Sequence, residues 1–312
     1  MTTYIIRRLL YTIPIVFGVL VLTFTLFTVV GGDISLEIAG KDANRQTIDE
    51  IRKEYGLDKP LFFSWDSQFV NHLKNALTFD FGRARDREPI IDKIKRGIGP
   101  SLALTVPIFL GVVIISVSLS LVVAFVRGTV WDILAVVICV AGMSVPYLSF
   151  ILFGQYFLGY KWGFFPVFFS PYLSLARNVA LPVLIGIAAG LGGNLRFYRT
   201  VMLDEMQNDY VRTAFAKGLT MRRVLFKHVL KNAMIPVITR VVLAIPFLFL
   251  GSLLLERFFG IPGLGYLMVE AISSRDYFVI GAMTYISAIL VVAFNLITDI
   301  CYVLVDPRVC LE

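Results

Sequence analysis

Long uncharged apolar runs alternate with charged spacers along this 312-residue chain. Six runs stand out, near 8–30, 101–126, 132–158, 179–196, 236–255 and 279–304. About 20 apolar residues in a helix cross a hydrocarbon core of about 30 Å, and the runs match that length. Backbone polar groups cannot stay unpaired in lipid, so the runs are expected to be helices rather than isolated strands. Their Leu, Val, Ile and Phe content alone would also suit buried strands, and it is length and number that decide. The pattern predicts an all-α membrane protein with six transmembrane helices. The first run has too long an apolar stretch for a signal peptide and lacks a small-residue cleavage pattern near Gly31-Gly32, so it is expected to stay as an anchor.

The spacers divide the chain into three parts: an N-terminal transmembrane helix at 1–30, an extracytoplasmic loop region at 31–100, and a five-helix core at 101–312 with a cytoplasmic loop at 197–235. In the second part, Thr47–Tyr55 reads as a short polar helix stopped by Gly56, and Pro60, Trp65, Phe69 and Phe79–Gly82 suggest a compact loop packed on the bundle. That segment is too small to bury an enzyme core. In the third part, Pro107 and Pro146 are expected to interrupt helices. Gly111, Gly142 and Gly154 permit close packing, bending or gating. Trp162, Phe164, Phe165, Phe168, Phe169 and Tyr172 suit either the bilayer interface or substrate stacking.

Composition agrees with the bilayer as solvent: 57% of residues are hydrophobic, 16% are charged, and mean hydropathy is +0.79. The net charge of +7 matters through its placement. Arg7-Arg8 precede the first run, Arg127 lies between the second and third, and eight Lys or Arg residues lie from Arg196 to Lys231. The positive-inside tendency puts both termini, the 127 turn and the 197–235 loop in the cytoplasm. Cys139, Cys301 and Cys310 offer no extracytoplasmic disulfide. His72 and His228 have no cysteine ligands beside them, so no metal site is expected. Arg240 and Asp299 sit near the cytoplasmic ends of the last two runs, where snorkelling or helix-end pairing explains them.

The cytoplasmic loop carries the most specific pattern. A polar helix with Arg196, Arg199, Asp204 and Glu205 follows Gly190-Leu-Gly-Gly193. After Gly218, Thr220 can cap a second helix in which Arg223, Lys227 and Lys231 share one face, and Met221, Val224, Leu225 and His228 another. Gly218 supplies backbone freedom where two short helices meet, and Ala214 and Ala216 let a partner approach closely. Two readings stay open on the pattern alone: a dock for a partner's groove, and a basic helix lying on anionic lipid.

Several motifs make the chain resemble the inner-membrane permease subunits of dipeptide and oligopeptide ATP-binding cassette importers. They are Tyr210-Val-Arg212-Thr-Ala214-Phe-Ala216-Lys217-Gly218-Leu219, then Arg222-Arg223-Val224, His228, Asn232-Ala233 and Pro236. Ile5–Leu10, Glu256-Arg-Phe-Phe-Gly260-Ile-Pro262-Gly263-Leu-Gly265, Arg275–Tyr277 and Asp306–Arg308 extend the resemblance over essentially the full chain. It implies a six-helix type I importer permease fold with cytoplasmic coupling helices. It also implies that Tyr210, Arg212, Ala214, Ala216, Lys217, Gly218, Arg222, Arg223 and Lys227 couple to an ATPase cleft. Where the general permease signature has Glu-Ala-Ala, this chain has Arg212-Thr213-Ala214.

The resemblance further implies a bacterial inner-membrane location, a second related permease chain, two ATP-binding subunits or one fused pair, and an extracytoplasmic substrate-binding protein. Transport would proceed by alternating access, with a dipeptide or oligopeptide as solute; glutathione, a nickel chelate, an oligosaccharide or a peptide antibiotic is the alternative. Glu256, Pro262, Gly263 and Gly265 would lie on the substrate path or external gate, with Glu256 better suited to a structural polar contact than to a peptide amine. ATP and magnesium would be held by the partners, because this chain has no Walker run and Gly260–Gly265 lacks the lysine. No cofactor, nucleic acid or catalytic residue is expected. Ser144, Glu256 and the histidines do not form a hydrolytic triad, which leaves an intramembrane protease as a remote alternative. The absence of a row of buried acids and of a repeated filter pattern argues against a proton-driven carrier and a channel.

Overall fold

The computed structural model describes residues 2–30, 34–39, 44–62, 64–248 and 251–305. The 306–308 motif and Cys310 lie outside the described residues, as do Gly31-Gly32 and the side chains of Arg8, Asp299 and Cys301. Among the described residues, fourteen α-helices follow one another: α1 Thr2–Phe24, α2 Ile34–Ala39, α3 Arg45–Glu54, α4 Gln68–Thr78, α5 Ile90–Phe125, α6 Val130–Ser144, α7 Tyr147–Gly154, α8 Leu175–Glu205, α9 Asp209–Ala216, α10 Met221–Val224, α11 Leu230–Leu248, α12 Leu253–Phe259, α13 Leu264–Ser274 and α14 Tyr277–Val305. Wide π-helical turns at Thr25–Val30, Gln155–Lys161 and Leu225–Val229 extend α1, extend α7, and join α10 to α11.

Among the described residues, five helices are long and apolar enough to cross a membrane alone, and a sixth crossing forms if α6 and α7 are taken together. Those two meet at a 92° bend. Pro146 causes it: proline bars its predecessor from helical geometry, and Val145 is extended at ψ 124°. The run at 132–158 is therefore two half-length helices, interrupted at Pro146 as expected. Pro107, in contrast, interrupts nothing and lies with Pro100 inside the 36-residue α5. The other boundaries also move. α5 begins at Ile90, so the last part of the 31–100 segment is already helix. The fifth crossing runs from Met221 to Leu248 rather than 236–255, which makes the basic stretch after Gly218 its first turns. Gly190–Gly193 lies within the unbroken α8.

α5 is the axis of the bundle, about 54 Å long at 1.5 Å per residue. It packs along α8 through small residues that admit large ones from across the interface. A Cβ on Gly111 would lie 2.5 Å from Ile187 Cδ1, and one on Gly186 would lie 2.6 Å from Ile108 Cδ1. Gly154 meets Ile185 from α7 in the same manner, whereas Gly142 faces open space. Close helix approach in an apolar solvent depends on such small-into-large contacts, because lipid gives no hydrophobic drive between spans.

The segment before α5 packs on the bundle through aromatic rings. Phe24 meets Phe62 and Phe69 edge-on, Tyr55 stacks on Phe278 at 5.0 Å, and Phe81 contacts Tyr285. α3 starts before the expected polar helix and stops at Gly56, φ +65°, as expected. In the 162–174 connection, Trp162, Phe164, Phe168 and Tyr172 are exposed, whereas Phe165 and Phe169 pack inward on Leu181 and Phe259.

Candidate coupling surface

At the C-terminal end of α5, Leu121 and Ala124 are buried against Met202 of α8, Val211 and Ala214 of α9, Val224 and Leu225 at the head of the fifth crossing, and Val229 and Ala233 beyond them. α9 is amphipathic. Its inner residues Val211 and Ala214 are 1% and 4% exposed, whereas Arg212, Thr213, Phe215, Ala216 and Lys217 face out. The close partner approach expected at Ala214 is thus corrected, since this chain's own core fills that space; Ala216 remains open. The Arg212–Asp209 pair, 3.5 Å apart on the exposed face, contributes little to stability.

Both ends of α9 are fixed. Tyr210 donates its hydroxyl to Glu205 Oε2 at 2.6 Å, and Asn208 Nδ2 donates to the same oxygen at 2.9 Å, tying α9 to the end of α8. Burial, then the Glu205 carboxylate, pushes the Tyr210 phenol pKa up. At the other end, Gly218 N–H donates to Phe215 C=O at 2.9 Å and Leu219 N–H to Ala214 C=O at 3.3 Å. This reciprocal pair is a Schellman stop, and it requires the left-handed φ of +75° that Gly218 adopts. Gly218 is accordingly a fixed corner rather than a loose joint.

Beyond the corner the two expected faces exist. Arg222, Arg223, Lys227 and Lys231 are exposed, and Val224 and Leu225 are buried. The apolar face is filled by α5, α8 and α9 of this chain, which corrects its reading as a face for a partner's groove. Thr220 precedes α10 without a side-chain cap, contrary to expectation.

One buried polar group here went unread in the sequence. Asp132, 6% exposed at the start of α6, accepts from Arg199 Nε at 2.8 Å and Nη2 at 2.9 Å, and from Gly128 N–H at 3.1 Å. A lone acid heading an apolar run was the available signal. Arg240, which is exposed, is paired: its guanidinium lies 4.3 Å above the Phe197 ring, and Nε donates to Asn194 Oδ1 at 3.2 Å.

At the opposite end of α5, Glu256 is 0% exposed. It accepts from Ser101 Oγ at 2.7 Å, Ser252 N–H at 3.0 Å and Tyr266 N–H at 2.9 Å, while Ser101 Oγ accepts from Leu264 N–H at 2.7 Å. Burial pushes the Glu256 pKa up, and these donors pull against it. Gly263 and Gly265 are buried around the carboxylate, and of the four gate candidates Pro262 alone is exposed. Glu256 thus makes a structural polar contact, its preferred reading.

Comparison with known proteins fits this arrangement. Residues 116–310 match the family described as binding-protein-dependent transport system inner membrane component, and residues 1–86 match its N-terminal family. The chain belongs to this family. It is 35% identical over 310 residues to the glutathione transport system permease protein GsiC of Shigella flexneri serotype 5b, covering 99% of both chains. The GsiC proteins of Escherichia coli K12 and Shigella dysenteriae serotype 1 are 34% identical over the same share. The protein is thus a multi-pass permease subunit of an ATP-binding cassette importer, with ATP hydrolysis carried by partner subunits. Membership also implies a binding protein and a second permease chain.

Proposed function

We propose that this chain forms half of a transmembrane path for a short peptide, with glutathione the first candidate, and that the exposed face of α9 with Arg222, Arg223 and Lys227 docks on a cytoplasmic ATPase. Both termini and α9 lie on the cytoplasmic side, the substrate arrives on a binding protein from the other, and ATP and magnesium stay with the partners. One observation carries the docking reading: α9 offers Arg212, Phe215, Ala216 and Lys217 outward while Val211 and Ala214 lock it to the end of α5. A helix held at both ends on a long span passes on force; one merely lying on lipid needs no such seat. Nucleotide-driven closure of two ATPases can shift the path between its inward-open and outward-open forms only if their contacts differ between the two.

The substrate reading rests on the names of the GsiC relatives and on the peptide-importer motifs around Gly218. Glutathione is itself a tripeptide, so both belong to one solute class. One preparation tests the proposal: the assembly carrying Ala216→Cys is purified with its binding protein, cross-linked, and its retained small molecule weighed. The expected result is a cross-link to the ATPase and a thiol peptide or another short peptide by mass spectrometry. A retained sugar or nickel chelate overturns the substrate; no cross-link to the ATPase overturns the dock.

A further inference from the structure

We infer that Glu256 is a positioning residue that makes α12 and α13 travel with α5 as one body, so that force applied at α9 reaches the far mouth of the path. The inference rests on the docking proposal for α9. Glu256 joins Ser101 on α5, remote in sequence, to the start of its own helix at Ser252 and to Tyr266 in the first turn of α13. Ser101 doubles the link by accepting from Leu264 N–H.

The surroundings leave the carboxylate no freedom. A Cβ on Gly263 would lie 2.5 Å from Ser101 Oγ and 2.6 Å from Glu256 Cδ, and one on Gly251 would lie 2.5 Å from Glu256 Oε1 and 2.8 Å from Gly265 N. Gly97 brings α5 within 3.2 Å of the Leu264 nitrogen by the same measure. Apolar packing also holds this region, through Ile90 and Ile94 against Leu264 and Ala271. Such contacts are non-directional and permit sliding, whereas hydrogen bonds to a buried carboxylate fix register, because each one broken leaves an unpaired buried group.

Every hydrogen bond found on the carboxylate oxygens comes from a donor. Glu256→Gln keeps the shape but turns one acceptor into an NH₂ facing another donor, which breaks the arrangement without emptying it. Ser101→Ala removes one donor and leaves the backbone ones.

The test uses the full assembly with Cys301 and Cys310 replaced by serine and spin labels at Lys95→Cys on α5 and Glu270→Cys on α13. The expected label separation is the same in nucleotide-free and ATP-bound assemblies, with a distribution that broadens in Glu256→Gln. Stimulation of ATPase activity by the loaded binding protein falls roughly tenfold in Glu256→Gln, within the usual range of coupling between sites, and less in Ser101→Ala. Unstimulated ATPase activity and the yield of assembled complex stay at the parent level, which a purely structural loss would not allow. A separation that changes with nucleotide in the parent, or variants stimulated like the parent, overturns the inference. The docking proposal fails separately, by absence of stimulation in the parent, and the label distribution with no partner bound still reports on Glu256.

Discussion

The two ends of α5 share apolar packing, but one of them adds a buried polar cluster. At its C-terminal end, Leu121 and Ala124 meet a wholly apolar cluster from α8 through α11, with cationic side chains confined to the outside. At its N-terminal end, Ser101 reaches a fully buried carboxylate ringed by backbone N–H groups and glycines. Apolar packing tolerates small shifts of volume and angle; a satisfied polar cluster tolerates almost none, since low polarity strengthens each bond and penalises each vacancy. The difference suits a lever: one end repacks as its seat moves, and the other keeps its geometry.

The largest expected effect lies at the rigid end. Gly251 combines a φ of +72° with a carboxylate oxygen 2.5 Å from where a Cβ would sit, so Gly251→Ala adds backbone strain to overlap. Together these cost about 3 kcal/mol. Gly99→Ala on α5 is the control, because nothing lies within 4 Å of its would-be Cβ and the residue is helical. Thermal unfolding of the purified complex is expected to fall clearly for the first and to hold or rise slightly for the second. Equal melting of both would remove the claim that clearance around Glu256 is limiting.

At the other end the glycine matters for a different reason, and the effect is smaller. Gly218 also has a positive φ, yet nothing lies within 4 Å of its would-be Cβ. Conformation, not size, is the constraint. Gly218→Val is expected to destabilise by about 1–2 kcal/mol and to lower substrate-stimulated ATPase activity, whereas Gly218→Asn, whose side chain tolerates left-handed geometry, stays near the parent. Unfolding midpoints and stimulated ATPase rates of the two variants decide this. If Asn and Val behave alike, the fixed corner is not what α9 needs.

This contrast also marks what the sequence could reveal. Apolar length placed the crossings because crossing a bilayer depends on a sum over about 20 residues, and sums survive local irregularity. The bend at Pro146 and the continuity at Pro107 could not be separated that way, since both prolines lie in apolar runs. Gly218 was legible as a corner because its requirement is local. Ala214 was misread: an alanine suits a partner's approach and a packed core equally, and its burial follows from α5, far away in sequence. Glu256 and Ser101, and likewise Asp132 and Arg199, are pairings across long separations, which a single sequence does not register.

The smallest expected effect concerns the segment before α5, which flanks the rigid end and packs on the bundle largely through aromatic rings. His72 on α4 lies 3.4 Å from Thr23 Oγ1 and beside the Phe24 ring, at a cavity of about 190 Å³ that Tyr55, Asp80, Tyr277 and Tyr285 also line. Burial holds its pKa below the usual 6.5. A base with a depressed folded pKa is neutral in the fold and charged in the open form as pH falls, so its contribution is present above 6.5 and is lost as pH drops toward the folded value. Hydrogen exchange of α4 amides, corrected for intrinsic rates, is expected to quicken modestly between pH about 7 and about 5, the range in which histidine charge changes. His72→Gln should flatten that response while leaving the α5 end around Glu256 protected at both pH values. If the acid response persists in His72→Gln, His72 is not its source.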